Sequence, residues 1–337
     1  MASQKKEAKV RERISISDHL QKIGLPAMRK ELLEGLQANP KYISSKFFYD
    51  DKGSHLFEKI TALPEYYPSR TEKQILATLW EKLSVDADKL NTDKLNIIEL
   101  GSGDSSKISL LLSQLSEDEL SRTHYFPVDI SHAAINSAAN ELINNFPTLE
   151  IHGLVADFIR QTDILPDIKN RLFCFFGSTL GNLEPGNRDY FIRQLGSIMN
   201  KGDHLLLGLD MVKDSAVLEK AYNDSQQVTA QFNKNVLNVT NNLLDANFKP
   251  ELFNHIAFYN TSLHRIEMHL QAKQPMHIHC RFNGQRIDLS NEETIHTENS
   301  HKFNRQHIDS LARTGGLETN AIYTDPRQWF SISHFSK

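Results

Sequence analysis

Five short apolar runs punctuate residues 94–212, most of them separated by stretches of helical spacing, and that rhythm leaves few folds open. The runs are KLNIIEL (94–100), HYFPVDI (124–130), LEIHGLV (149–155), RLFCFF (171–176) and HLLLGLDMV (204–212). Helical spacing marks Glu72–Leu83, Lys107–Leu115, Ser131–Phe146 with Ser131 as its N-cap, and Asn187–Asn200. Strands alternating with helices predict βαβ units on a parallel sheet. Unbroken apolarity predicts strands covered on both faces.

The rhythm stops after residue 212. Ser215–Asn247 reads as one or two helices. His255–Ala272, Met276–Phe282 and Gln285–Leu289 read as strands without helical crossovers, which predicts an inserted antiparallel unit. A helix over Asn304–Thr314 and two closing runs, NAIYTD and WFSISHF, predict that the sheet resumes as a hairpin. The expected fold is therefore α/β, a seven-strand doubly wound sheet with a second, α+β domain. Residues 15–71 read as helical and then irregular, with Phe47, Phe48, Tyr49, Tyr66 and Tyr67 among Gly53, Pro64 and Pro68, an aromatic cover over a core. The expected division is a mobile tail at 1–14, a substrate-binding domain from 15–71 plus 213–302, and a cofactor domain from 72–212 plus 303–337.

Composition removes several function classes. Lys and Arg total 38 against 42 Asp and Glu, a net charge of −4, so no general attraction draws the chain to nucleic acid or anionic membrane. Two cysteines, Cys174 and Cys280, exclude a disulfide framework. No apolar run approaches membrane-span length, and no apolar segment follows the charged start MASQKKEAKVRER, so the expectation is a cytoplasmic protein. Fifteen histidines invite a metal reading, yet no HxxxH or HExxH spacing occurs. His277 and His279 read as one face of a strand, and no metal is expected.

The strand ends carry the chemistry. KLNIIEL runs into Gly101-Ser102-Gly103, a turn whose glycines let a ligand approach the backbone. The third glycine of a dinucleotide fingerprint is absent, since Asp104, Ser105, Ser106 and Lys107 follow. Asp129 ends the second run and suits two ribose hydroxyls. Asp157 and Phe158 follow the third, an acid for an adenine amino group and a ring to pack on the base. Glycine turn, ribose acid and adenine acid without a phosphate cradle favour S-adenosylmethionine (SAM) over a nicotinamide cofactor. The competing readings are helix caps for Asp157 and Asp129.

In that order, FFYDDKGSHLFEKITALPEYYPSRTE, ELGSGDSSK, PVDIS, GSTLGN, DMVKD, AYND, RIEMHL and IHTENSHKF resemble the histidine-specific, SAM-dependent methyltransferases of ergothioneine biosynthesis (EgtD-type), over about residues 46–337. The resemblance implies a Rossmann-like class I methyltransferase domain with a second domain built from the N-terminal segment and the insertion. It implies conversion of L-histidine to its Nα-trimethyl betaine, hercynine, in three methyl transfers. By motif, Gly101, Lys107, Asp129, Asp157 and Phe158 would hold SAM. Tyr66, Asn182 and Tyr222 would bind the amino acid's carboxylate and amine. Glu298 and Ser300 would grip the imidazole, with Met268 on the pocket wall and Tyr49 near the transferring methyl. Asn299, between the two imidazole ligands, departs from the apolar residue expected there and counts among the substrate-binding candidates. No catalytic residue is assigned. Outside the motif, Glu298 would read as an exposed charge on an edge strand.

The expected partner is a small amino acid, with neither nucleic acid nor membrane, and the expected state is a monomer. Two other readings stay open: the same scaffold acting on another amine such as tryptophan, and a module that binds SAM or histidine without turnover. An Asn or Tyr donor suits the carboxylate because it adds no net charge, and the Glu298/Ser300 pair argues against an indole substrate.

Overall fold

The computed structural model describes residues 13–20, 24–86 and 94–337. The tail expected at 1–14 lies outside the described residues up to position 12. In chain order the strands are β1 (Ile14–Asp18), β2 (Lys41–Tyr42), β3 (Leu95–Leu100), β4 (Thr123–Asp129), β5 (Glu150–Val155), β6 (Arg171–Phe175), β7 (His204–Asp210), β8 (Phe253–Asn260), β9 (Arg265–Ala272), β10 (Met276–Cys280), β11 (Gln285–Leu289), β12 (Thr294–His301), β13 (Glu318–Thr324) and β14 (Phe330–Ser336). They belong to two units. One draws on 13–20, 70–211 and Phe303–Lys337, the other on 24–69 and Val212–Lys302.

The first unit is built on an eight-stranded sheet in the order β1-β5-β4-β3-β6-β7-β14-β13. β1, β5, β4, β3, β6 and β7 pair in parallel, β14 runs antiparallel to β7, and β13 closes the edge antiparallel to β14. Every residue of β3, β6 and β7 is buried, as unbroken apolar runs require. Ile97, Leu172 and Leu206 meet Leu111 and Leu142 on one face. Ile98, Phe173 and Leu207 meet Leu195 and Ile308 on the other. The chain winds outward from β3 to β5 and restarts at β6, so β3 and β6 flank the switch point where ligands of such sheets bind.

β1 corrects the expected sheet size and the domain boundary together. Residues 15–18 pair with β5, Ile14 opposite Ile151 and Asp18 opposite Val155, so they belong to the large sheet rather than to the substrate-binding lobe. ISISD carries only two apolar side chains, enough for an edge strand and too few to register as a run. Gly153 makes room there: a Cβ on it would meet an Ile135 methyl at 2.5 Å and Ile16 at 3.2 Å.

Glu99 is buried within β3, and burial pushes its carboxyl up to about 8, against the opposing pull of its bond from the Tyr125 hydroxyl and of Lys107. A carboxyl whose folded pKa exceeds its ordinary 4.5 holds more protons folded than unfolded. Its contribution to stability therefore falls as pH rises from about 4.5 to 8. Tyr125→Phe removes the donor and is expected to cost about 1 kcal/mol, read as a lower urea midpoint at unchanged slope.

The second unit holds a four-stranded sheet, β2-β12-β9-β8, and a separate β10–β11 hairpin. The segment His255–Ala272, expected as one strand, is two, joined by a turn in which His264 takes a φ of 48°. The aromatic segment forms helix Asp51–Thr61, capped by Asp50, whose Oδ1 accepts from Gly53 N at 2.7 Å and from Asn235 Nδ2 at 2.8 Å. That second bond ties the cap to helix Val228–Leu244, on which Phe48 also packs through Phe232 at 4.6 Å between ring centroids. His277 and His279 lie on the exposed face of β10, where His277 Nδ1 meets Asp288 Oδ1 at 2.5 Å. Among the described residues no helix is long and apolar enough to cross a membrane.

Candidate active site

The cofactor candidates of the first unit gather at the carboxyl ends of β3, β4 and β5. Gly101 and Gly103 take φ values of 67° and 50°, a region L side chains rarely adopt, and a Cβ on Gly103 would meet nothing within 4 Å. Gly103 N donates to Asp129 Oδ2 at 3.0 Å, and Ser131 N donates to Oδ1 at 2.9 Å. Burial raises the Asp129 carboxyl above its ordinary value, while those amide bonds pull the other way. Ser131 caps the next helix and Asp129 does not, so the cap reading of Asp129 fails.

Asp157 lies past β5 at the start of a turn and not of a helix, with its carboxylate 3.6 Å from Arg160 Nε. Phe158 is packed against Phe175 at 5.4 Å, and its ring would meet a Cβ placed on Gly101 at 3.4 Å. Lys107 is anchored by a buried carboxylate. Its Nζ lies 3.0 Å from Glu72 Oε2, and the fully buried Glu72 carboxylate accepts from Gly177 N at 2.7 and 3.0 Å. Lys107 thus links the helix after the glycine turn to the end of β6. Two hydroxyls, that of Ser102 in the turn and that of Ser106 opening the helix Ser106–Leu112, are buried without a hydrogen-bond partner. An open glycine turn, an oriented carboxylate and two unsatisfied hydroxyls fit an adenosyl ligand.

Asn182 also belongs to the first unit, at the end of the short helix Thr179–Asn182 that follows β6. The other amino-acid candidates fall in the second unit. β12 pairs antiparallel with β9, setting Glu298 opposite Met268, Asn299 opposite Glu267 and Ser300 opposite Ile266, with a bulge between His296 and Glu298. Opposed residues share a face and neighbours alternate. Glu298, Met268 and Ser300 therefore share one face, and Asn299 is turned to the other. Asn299 Oδ1 accepts from His296 Nε2 at 3.0 Å. Asn299 is thus placed off the face that Glu298 and Ser300 share.

Glu298 is half-buried, not an exposed edge charge, and its carboxylate makes no hydrogen bond among the described residues. Burial pushes it up to about 7, with Lys302 as the cation that pulls it back. Ser300 is better provided. Its Oγ accepts from Tyr222 OH at 2.8 Å and from Lys302 Nζ at 2.8 Å, while Lys302 also donates to Tyr222 OH at 3.2 Å. Lys302 is 1% exposed, and its ammonium sits 5.0 Å from the Tyr222 ring centroid.

Around this group lie aromatic edges. Tyr66 meets Tyr222 at 6.1 Å, Phe57 meets Tyr66 at 6.3 Å, and Tyr49 meets Phe57 and Phe232 at 5.7 and 5.8 Å. The Tyr49 residue is 42% exposed, yet its hydroxyl is held well above the ordinary phenol range, first by burial and then by Glu298 and Tyr222. The Tyr49 hydroxyl is therefore neutral at physiological pH.

Sequence reasoning missed Lys302 and Glu72. Lys302 stood inside the quoted IHTENSHKF, but a lysine at the end of a polar run reads as a solvated charge. Glu72 closed PSRTE, where nothing local marks it as a partner for Lys107.

A family model described as "Histidine-specific methyltransferase, SAM-dependent" matches residues 28–337. A histidine N-alpha-methyltransferase of Mycolicibacterium smegmatis is 39% identical over 307 residues, 91% of this chain and 94% of that protein. One of Mycobacterium tuberculosis is 38% identical over 326 residues, 96% of this chain and 100% of that protein. An ergothioneine biosynthesis protein 1 of Schizosaccharomyces pombe is 28% identical over 240 residues, 68% of this chain and 31% of that longer protein. Taken with a glycine turn on a doubly wound sheet, these matches settle the family: the chain belongs to the SAM-dependent, histidine-specific methyltransferases.

Proposed function

We propose that this chain methylates the α-amino nitrogen of L-histidine three times, to hercynine, as a step of ergothioneine biosynthesis. The observation that carries the reading is the pairing of unlike partners on one face of β12. Glu298 offers a carboxylate with no hydrogen-bond donor among the described residues. Ser300 has both lone pairs taken by Tyr222 and Lys302, so it presents its own O–H. One acceptor beside one donor matches a neutral imidazole, which has one N–H and one bare nitrogen. An indole has the N–H alone and would leave the Ser300 proton unmet, and an imidazolium would set a second N–H against it.

Gly101, Lys107, Asp129, Asp157 and Phe158 would hold the cofactor. When bound, SAM supplies a methyl group on a positively charged sulfur. Tyr66, Asn182 and Tyr222 would orient the substrate's carboxylate and amine without adding charge, as the family resemblance suggests. An α-amine of pKa about 8 or higher is mostly protonated at neutral pH, so the site must favour its neutral form by desolvation. No side chain need act as an obligate base, since alignment supplies much of the acceleration. We propose a monomer acting in the cytoplasm, with neither nucleic acid nor membrane as partner. Its two cysteines, both free and buried, suit a reducing compartment.

The test is purified protein incubated with SAM and each of the twenty amino acids, followed by mass spectrometry. Histidine alone is expected to gain one, two and then three methylenes. Preferred turnover of tryptophan would overturn the substrate. SAM binding in calorimetry without any turnover would mark a binding module instead.

A further inference from the structure

β4 and β5 carry three side chains that methyl transfer does not use, at the ends opposite Asp129 and Asp157. His124 of β4 stands in register with Glu150 of β5, and His152 follows two residues later on the same face. His124 Nδ1 lies 3.2 Å from Glu150 Oε2 and 3.4 Å from His152 Nε2, and His152 Nε2 lies 3.8 Å from the same carboxylate oxygen. Zinc bonds of about 2.0–2.1 Å in a tetrahedron place neighbouring ligand atoms about 3.3–3.4 Å apart. The three atoms therefore already outline one face of such a tetrahedron. We propose that His124, Glu150 and His152 form a zinc site with its fourth position open to water.

The surroundings prepare the ligands. Ser15 Oγ of β1 lies 2.9 Å from His152 Nδ1, and with the Nδ1–H donating to it the Nε2 lone pair faces the other two groups. The His124 and His152 rings are within 14° of parallel, and Phe126 packs on His152 at 5.0 Å, so both imidazoles are held in place. Facing ring nitrogens can share only one proton, whereas a cation satisfies both and the carboxylate at once. Zinc is the ion this set suits, two imidazoles and a carboxylate being borderline donors. A second cluster, Glu267 with His269 and His296, suits a cation less well. Glu267 Oε1 already accepts from Arg265 Nε at 2.8 Å and Asn260 Nδ2 at 3.0 Å, and His296 Nε2 donates to Glu298 O at 3.0 Å.

Bound zinc would cross-link β4 to β5 and, through Ser15, hold β1 at the sheet edge. The site is five residues along β4 from Asp129, roughly 17 Å, so cofactor affinity gives an independent reading of the fold.

The experiment uses untagged full-length protein, stripped with a chelator, exchanged into metal-free buffer and titrated with zinc chloride in calorimetry. A parallel titration with cobalt(II) follows the visible bands of a tetrahedral ion. One zinc per chain, intense cobalt bands and a higher Tm with zinc are expected. Joint His124→Gln and His152→Gln substitution should abolish uptake and bands at unchanged SAM affinity, Glu150→Gln should weaken uptake, and Ser15→Ala should weaken it about tenfold. Joint His269→Gln and His296→Gln should leave uptake intact. No stoichiometric uptake by the wild type, or uptake that survives the His124/His152 variant and Glu150→Gln alike, overturns the site.

Discussion

Glu298→Gln is expected to lower kcat/KM for histidine by about ten- to a hundredfold at neutral pH while SAM affinity stays unchanged. A hydrogen bond to an ionised group is worth about 1.5–3 kcal/mol, and each 1.4 kcal/mol is a factor of ten. Glutamine keeps the volume and an acceptor oxygen but loses the charge that favours a buried N–H donor. The pH dependence separates this role from simple packing. Burial pushes the Glu298 carboxyl up to about 7, so the better, ionised acceptor is gained as pH rises through that region. The kcat/KM profile should rise through about 7 in the wild type, and that ionisation should vanish in Glu298→Gln, leaving the rise set by the substrate amine. Because the folded pKa lies above the ordinary 4.5, the ionised side chain also opposes folding. The variant should lose less stability than the wild type as pH climbs from 4.5 to 7. Identical rate profiles would remove Glu298 from the imidazole site.

What the amino-acid order reveals here depends on how local each signal is. β3, β6 and β7 are legible because burial on both faces writes itself as an apolar run. β1 is half-exposed and writes only Ile14 and Ile16. β12, TIHTENSH, shows neither a run nor clean alternation, since the bulge before Glu298 interrupts its period and becomes visible only against β9. The same bulge and pairing decide that Glu298 and Ser300 share a face while Asn299, between them, does not. The β8–β9 turn escaped notice because His264 takes its positive φ where no glycine or proline announces one. Gly101, Asp129 and Glu298 stand out at strand ends or in motifs. Lys302 and Glu72 acquire their partners only through folding.

Lys302→Met should lower kcat/KM for histidine by about ten- to a hundredfold, and should also move the pH profile, which a purely structural lysine would not do. Methionine keeps the length of the apolar stem and removes only the ammonium. Ser300 Oγ then regains a free lone pair, and its proton is no longer committed to the ring nitrogen by a donor that cannot accept. The lost charge-assisted bond sets the expected magnitude at about 1.5–3 kcal/mol. Lys302 is also the cation that lowers Glu298, so without it the Glu298 ionisation should climb above about 7 and the rising limb should shift to higher pH. If Ser300 is the path by which Lys302 reaches the substrate, Ser300→Ala should cost much less in the Lys302→Met background than in the wild type, a non-additivity expected of neighbours in one network. Additive losses together with an unmoved limb would reduce Lys302 to packing, and the donor that distinguishes imidazole from indole would have to be sought elsewhere in the second unit.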